Sequence, residues 1–231
     1  MREAVLTIDD SPSPITEKIL EFLRLRNIEC IFFCIGTKLV KYPAVADLIV
    51  NSGFTLGNHS FSHSPFSKLT LSECEQEIFK TEELIDAVYD RNYKKRKAKH
   101  FRFPYGDKGG ENRKSVQEIL KKINFRGIER LKIKYDWYYQ NSLDSDRDVF
   151  WTFDTLDYQL SDGVSEFTME DLVSHLEGTS PDFGGVLRKG TSDEIVLLHD
   201  HENTEAIFPR YYEEIIKRIE EFRIKFRKRA F

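Results

Sequence analysis

Five short motifs hold the residues that can do chemistry: TIDDSP at 7–12, HSFSH at 59–63, RFPYG at 102–106, WTFDTLDY at 151–158 and LLHD at 197–200. Asp9 and Asp10 stand side by side where an apolar strand ends, and two adjacent carboxylates repel each other. A cation resolves the conflict, because one carboxylate can ligate it while the other stays free as a base. His59 and His63 are four residues apart and can share one side of a helical turn or tight loop. With one aspartate they make a three-ligand set for Zn²⁺ or a similar divalent ion, which leaves a position for water. Each residue also has a plainer use. Asp9 or Asp10 can cap the next helix, although Ser11 and Ser13 already offer that. His199 can be a satisfied histidine at a strand end, and Arg102 can pair with any acidic neighbour. His100, His175 and His201 are read as structural or surface residues.

The elements that position these groups alternate along the whole chain, as in an α/β domain with parallel strands. EAVLTI, CIFFCI, FTLGNH, HFRF, VFWTFD and EIVLLH read as strands. Between them run helix-period stretches. PITEKILEFLRL has Ile15, Ile19, Leu20 and Leu23 on one face, PAVADLIVNSG stops at Gly53, and NRKSVQEILKKI and TMEDLVSHLEG follow later. Thr70 and Glu73 form a capping box that opens a helix to about residue 90, with Leu71, Cys74, Ile78, Ile85 and Val88 as its core face. FPRYYEEIIKRIEEFRIKF reads as a closing amphipathic helix, and the Tyr-rich stretch 126–147 has no clear assignment. No linker or repeat interrupts the pattern, so residues 1–231 are expected to form one domain, either a barrel or an open doubly wound sheet. In such folds the chemistry gathers at the carboxyl ends of the strands. Asp9 and Asp10, His59 and His63, Arg102 with Pro104 and Tyr105, Asp154 with Asp157, and His199 with Asp200 all fall there.

Composition narrows the function classes. The chain has 40% hydrophobic and 32% charged residues with 18 Phe, so it can bury a large core and is not of disordered composition. A net charge of -4 gives no general attraction to nucleic acid, and the basic run Lys94, Lys95, Arg96, Lys97, Lys99 reads as a solvated loop. No stretch suggests a membrane span. Cys30, Cys34 and Cys74 are too few for a disulfide framework, and the first two read as small buried hydrophobes. The start MREAVLTIDD has no apolar signal segment, which taken literally means cytoplasmic, although a trimmed or mature secreted chain would open the same way.

In this order, the five motifs resemble the polysaccharide deacetylase family, the nodulation-protein-B homology domain of chitin, peptidoglycan and xylan deacetylases. The resemblance runs from about residue 4 to 205. It implies a distorted (β/α) barrel of about seven parallel strands, metal dependence, and removal of acetyl groups from sugars. By motif, it makes Asp9 the catalytic base and Asp10, His59 and His63 the metal ligands. Arg102 would orient Asp9, the Tyr105 backbone N–H would hold the oxyanion, and His199 would be the acid, tuned by Asp154. Pro104, Leu197 and Tyr158 would join Tyr105 in lining the substrate pocket. Ser11, Ile8 and Tyr158 stand where the family usually has Gly, Phe and, often, Trp. These departures bear on substrate fit and leave every charged group in place.

The chemistry of deacetylation asks for the same set. An acetyl carbonyl is a poor electrophile, and a divalent ion both polarises it and lowers a water's pKa toward about 7. Zinc is the first choice for a His₂Asp set, and cobalt, nickel or manganese are also accepted. The leading expectation is a metal-dependent deacetylase acting on an acetylated saccharide of the N-acetylglucosamine type, with neither nucleic acid nor membrane as partner. An amidohydrolase acting on a small non-sugar amide is the first alternative, and a catalytically silent carbohydrate-binding protein of the same fold is the second.

Overall fold

The computed structural model describes residues 2–161, 166–179 and 184–228. The strands among them are β1 (Arg2–Ser11), β2 (Cys30–Cys34), β3 (Thr55–Asn58), β4 (Phe153–Asp154), β5 (Glu194–His199) and β6 (Ile224–Phe226). The helices are α1 (Thr16–Leu25), α2 (Gly36–Lys41), α3 (Pro43–Asn51), α4 (Leu71–Arg91) and α5 (Arg113–Lys122), followed by α6 (Asp136–Gln140), α7 (Met169–Glu177), α8 (Glu202–Ile207) and α9 (Tyr211–Glu221).

All the strand pairs are parallel. The order is β3-β2-β1-β5-β4, and β6 pairs the first residues of β1. β1 is central because Ala4 to Ile8 is buried on both faces, which suits a strand covered on both sides. Its period of two sorts the side chains. Ala4, Leu6 and Ile8 join the large core under the helices, with Phe32, Ile19, Leu23 and Ile215. Val5 points the other way, into an inner cluster with Ile31, Phe33, Val149 and Ile195. Thr7 and Asp9 follow Val5 on that inner side.

The ladders make a six-stranded sheet that does not close, rather than a barrel of about seven strands. Between β3 and β4 the ring is spanned only by isolated contacts. Asn58 and Lys99 form single parallel bridges to Phe101 and Phe125, and the Val149 N–H donates to the Phe101 carbonyl at 2.7 Å. HFRF is therefore not a regular strand, and VFWTFD contributes only Phe153–Asp154. The cause is a tertiary contact: the Val149 carbonyl accepts from Arg102 Nε at 2.9 Å, so a side chain occupies a place a ladder would use.

Other expectations shift in smaller ways. Leu71 is 36% exposed because it starts α4, ahead of the residues that pack, whereas Cys74, Ile78, Ile85 and Val88 are buried and the Thr70–Glu73 capping box forms. The closing helix ends at Glu221. Arg223 takes a left-handed φ of 61°, and the buried-exposed-buried run Ile224, Lys225, Phe226 becomes β6. In the stretch 126–147, Ile128, Leu131 and Ile133 pack on the inner cluster beside Val5, Ile31 and Ile195, at the amino ends of the strands. It is neither a lid nor a rim on the carboxyl side.

Gly57 connects this packing to what lies above it. A Cβ there would sit 2.5 Å from Phe33, whose ring lies 4.3 Å from the Arg102 guanidinium. Gly57→Ala should destabilise the fold by about 1–3 kcal/mol, read as a lower urea midpoint with an unchanged slope.

Candidate active site

Asp9 lies on the inner side of β1 and is 3% exposed. Arg102, 1% exposed, donates from Nη1 to Asp9 Oδ1 at 2.7 Å and to Thr7 Oγ1 at 2.8 Å. The guanidinium rests on the rings of Phe33 and Trp151, 4.3 and 5.6 Å from their centroids. A flat strand would send Asp10 to the opposite face. Instead the β1–β2 register shifts between Ile8 and Ser11, and Asp10 adopts φ 63°, so both aspartates face the same cleft.

Asp10, His59 and His63 each bring one ligand-type atom, and these lie within 4.8 Å of one another. His59 Nδ1 hydrogen-bonds the Arg102 carbonyl at 2.8 Å, which makes Nδ1 the protonated nitrogen and leaves Nε2 bare. His63 Nδ1 meets the Tyr105 hydroxyl at 3.1 Å. The two Nε2 atoms stand 3.7 and 3.3 Å from Asp10 Oδ1, a buried oxygen with no hydrogen-bond partner among the described residues. An orphaned carboxylate oxygen opposite two imidazole nitrogens fits a divalent cation. The charges agree. Burial would raise the Asp10 carboxyl, but His199, His63, His59 and Lys38 outweigh it and hold it below its usual range. Burial and the neighbouring His59 push His63 down to about 4, so it stays neutral as a ligand must.

Across a cleft of about 520 Å³ stands His199. Its Nδ1 pairs with Asp157 Oδ1 at 3.0 Å, and its backbone N–H donates to Asp157 Oδ2 at 3.1 Å. The hydrogen-bonded partner is therefore Asp157, a role the motif reading does not give it, and Asp154, expected to tune His199, adds its charge from further off. The short turn Asp157–Ser161 folds the Asp157 carboxylate back onto the end of β5, while Asp154 accepts from the Leu156 N–H at 2.9 Å and acts on His199 only through space. Burial alone would lower His199, but Asp157, by charge and hydrogen bond, with Asp10 and Asp154, raises it to about 10.

Leu197, Tyr158, Tyr105 and Asp154 line the cleft as expected, together with Trp151 and His201, which the motif reading left out. Pro104 does not. It is buried in the turn that presents Tyr105, and Arg102 likewise works from behind Asp9. His201 had a signal: it is two residues past His199, so alternation carries it to the same side. Its Nδ1 lies 3.1 and 3.0 Å from the hydroxyls of Ser161 and Thr204. His100 and His175 bond the carbonyls of Arg126 and Asp154 and stay outside the cleft. The three cysteines are free, buried thiols.

Fold and site together define a class: a parallel α/β protein with a two-histidine, one-aspartate cradle facing a histidine–aspartate pair at the carboxyl ends of its strands. The sequence profile of the polysaccharide deacetylase family matches residues 1–128, and the chain belongs to that family. A peptidoglycan-N-acetylglucosamine deacetylase of Bacillus cereus is 36% identical over 106 residues, 46% of this chain and 37% of the relative. Chitin deacetylase 1 of Saccharomyces cerevisiae is 27% identical over 194 residues, 84% of this chain and 50% of the relative. This chain thus spans half or less of those two proteins. The crystal structure of the Bc1960 peptidoglycan N-acetylglucosamine deacetylase shares the fold, with a TM-score of 0.64 at 24% identity over 97% of this chain and 85% of that one. Among the described residues, no helix is long and apolar enough to cross a membrane.

The His199–Asp157 pair is open to titration. A raised value in the folded protein adds stability that is complete below the ordinary histidine value of 6.5 and fades as pH rises through about 10. In metal-free protein, Asp157→Asn should lower the His199 titration by roughly one to three pH units, seen in the ring proton NMR signals.

Proposed function

We propose that this chain is a single-domain, metal-dependent hydrolase that removes acetyl groups from an acetylated saccharide, an N-acetylglucosamine-type polymer or oligosaccharide. One observation carries the proposal: the Asp9–Arg102 pair and the Asp10, His59, His63 cradle face the His199–Asp157 pair across one cleft. A base and an acid on opposite walls match the two proton transfers of amide hydrolysis. The acetylated sugar polymers named for the relatives supply the substrate class.

Asp10, His59 and His63 would hold the divalent ion, zinc first among the candidates. When bound there it supplies Lewis acidity, polarising the acetyl carbonyl and acidifying a water. Asp9 takes the proton as that water attacks, and Arg102 fixes the direction of its carboxylate and balances its charge. Tyr105 sits at the mouth with φ 57°, and its backbone N–H is assigned to the developing oxyanion. One such donor is worth about 3 kcal/mol of barrier. His199 then gives its proton to the departing amine, the Asp157 carboxylate having kept the imidazolium stable until that moment. Asp154 adds negative charge on the same wall. Leu197, 2% exposed, and the Tyr158 ring, 5.1 Å from that of His199, form the apolar corner for the acetyl methyl group. The same carboxylate–imidazole machinery would cleave a small non-sugar amide. The exposed Tyr105 in the lining favours a sugar, because a flat aromatic face covers the apolar face of a pyranose ring.

Asp10→Ala and His59→Ala should each lose zinc or cobalt binding by calorimetry. Asp9→Asn should keep the ion and lose turnover of acetylated chito-oligosaccharides by roughly 10²–10⁴-fold. Loss of the ion in Asp9→Asn would show that the two aspartates have exchanged roles. A preference for linear or cyclic amides over the sugars would replace the saccharide with the small-amide substrate.

A further inference from the structure

At the opposite end of the strands the protein carries a second built feature. Asn58, the last residue of β3, pairs in parallel with Phe101, so the segment arriving through Lys97 and Lys99 enters from the amino-end side, away from the active site. There a cleft of about 550 Å³ is walled by nine residues, of which Arg96, Lys97, Lys99, Lys121, Arg126 and Arg147 are cationic and none is acidic. That concentration stands in a chain whose net charge is -4. Three segments far apart in sequence build it: the loop after α4, the end of α5, and the run before Val149.

The cations fall into two groups. Arg96 and Lys99 are held by Glu82 and Asp86 beneath the cleft, and Arg126 pairs with Glu129. Lys97, Lys121 and Arg147 have no ion-pair partner among the described residues. They are nonetheless positioned. The Arg147 backbone N–H donates to Gln117 Oε1 on α5 at 2.7 Å, and Arg126 Nη2 donates to the Lys97 carbonyl at 3.2 Å. Complementing the negative end of the α5 dipole accounts for Lys121 alone. Arg96, whose side chain is 6% exposed, also keeps a buried Nε with no acceptor among the described residues. Like charges gathered this closely repel one another, and an anionic ligand removes that cost.

The neighbouring clefts indicate the ligand's shape. One of about 380 Å³ shares Lys97 and adds Lys94 and Lys95 beside a single carboxylate, Glu29, and one of about 230 Å³ shares Arg126 and adds Arg130 and Arg227 beside Glu29 and Glu129. Cations outnumber carboxylates in each of these adjoining clefts, and a positive surplus that continues along the surface suits an extended chain better than a single small ion. The aromatic that lines the central cleft, Phe125, is 1% exposed and gives no platform for stacking bases.

From this geometry we propose that the basic cleft at the amino ends of the strands binds a linear polyanion whose phosphate or carboxylate groups recur along its length. The active site at the other end stays free while it does so. The contact is electrostatic and therefore salt-dependent.

The test uses the full chain with fluorescent long-chain polyphosphate, polygalacturonate and duplex DNA as probes, followed by polarisation between low and moderate salt. At low salt the wild type should bind polyphosphate or polygalacturonate, and whichever binds more tightly names the chemistry. The triple variant Lys97→Glu, Lys121→Glu, Arg147→Glu should weaken that binding by about tenfold or more and flatten the salt slope by about 2 to 3. The corresponding glutamine variant should fall between the two. Both variants should retain the wild-type melting temperature and zinc binding at the Asp10 cradle, so that a folding defect is distinguished from a lost site. Equal binding by wild type and triple variant, no binding of either polymer, or tighter binding of DNA than of both would overturn the proposal.

Discussion

Arg102 is the residue on which the site depends. Its guanidinium is buried inside the ring of strands and holds Asp9 and Thr7 on one side and the Val149 carbonyl on another. Its own carbonyl accepts a hydrogen bond from His59 Nδ1–H, and its N–H donates to the Asn58 carbonyl at 2.9 Å. One residue thus aims the proposed base, selects the tautomer of a proposed metal ligand and joins β3 to the irregular part of the ring. A buried arginine needs a partner for its charge and for most of its donors, and here Nη2 is left without an acceptor among the described residues. Here Asp9 supplies the charge, and the faces of Phe33 and Trp151 supply apolar cover.

The second constraint is the bend at the end of β1. Bringing two adjacent aspartates onto one face requires a shifted register and a left-handed residue at Asp10, a conformation non-glycine residues adopt at some cost. The next turn holds it in place. Asp200, fully buried, accepts from the hydroxyls of Ser11 at 2.9 Å and Ser13 at 2.6 Å, and from that of Thr16. Lys38 Nζ donates to the Asp10 carbonyl at 2.6 Å. Ser11 therefore has a use: its hydroxyl, with those of Ser13 and Thr16, partly offsets the burial that still holds the Asp200 carboxyl above its usual range. The last residue of the LLHD motif serves the first motif rather than the substrate.

Charge is segregated along the strand axis. The carboxyl ends gather Asp9, Asp10, Asp154 and Asp157 around four histidines, where negative charge favours a protonated His199 and suits a cation. The amino ends gather lysines and arginines. Interactions of this kind weaken beyond about 10 Å in salt, so the two ends can hold opposite potentials without cancelling, and each can meet its own partner.

Much of this was legible in the sequence. Apolar runs of five or six residues define the central strands because a strand buried on both faces needs side chains apolar on both sides. The Thr70–Glu73 box marks the start of α4 because its hydrogen bonds are local. His59, His63 and one of the two adjacent aspartates could be named as a ligand set from their chemistry and spacing, and the family resemblance singled out Asp10 of the pair. The tertiary structure decided whatever depends on backbone direction or on partners distant in the chain. Among these are the bulge that turns Asp10 beside Asp9, the choice of Asp157 over Asp154 as the partner of His199, the arrival of Trp151 and His201 in the cleft, and the side-chain bond from Arg102 that leaves HFRF without a ladder. Local patterns report which face a residue prefers. They do not report which of two nearby carboxylates a turn folds back upon a histidine, because that depends on packing the chain only completes when the distant strands meet.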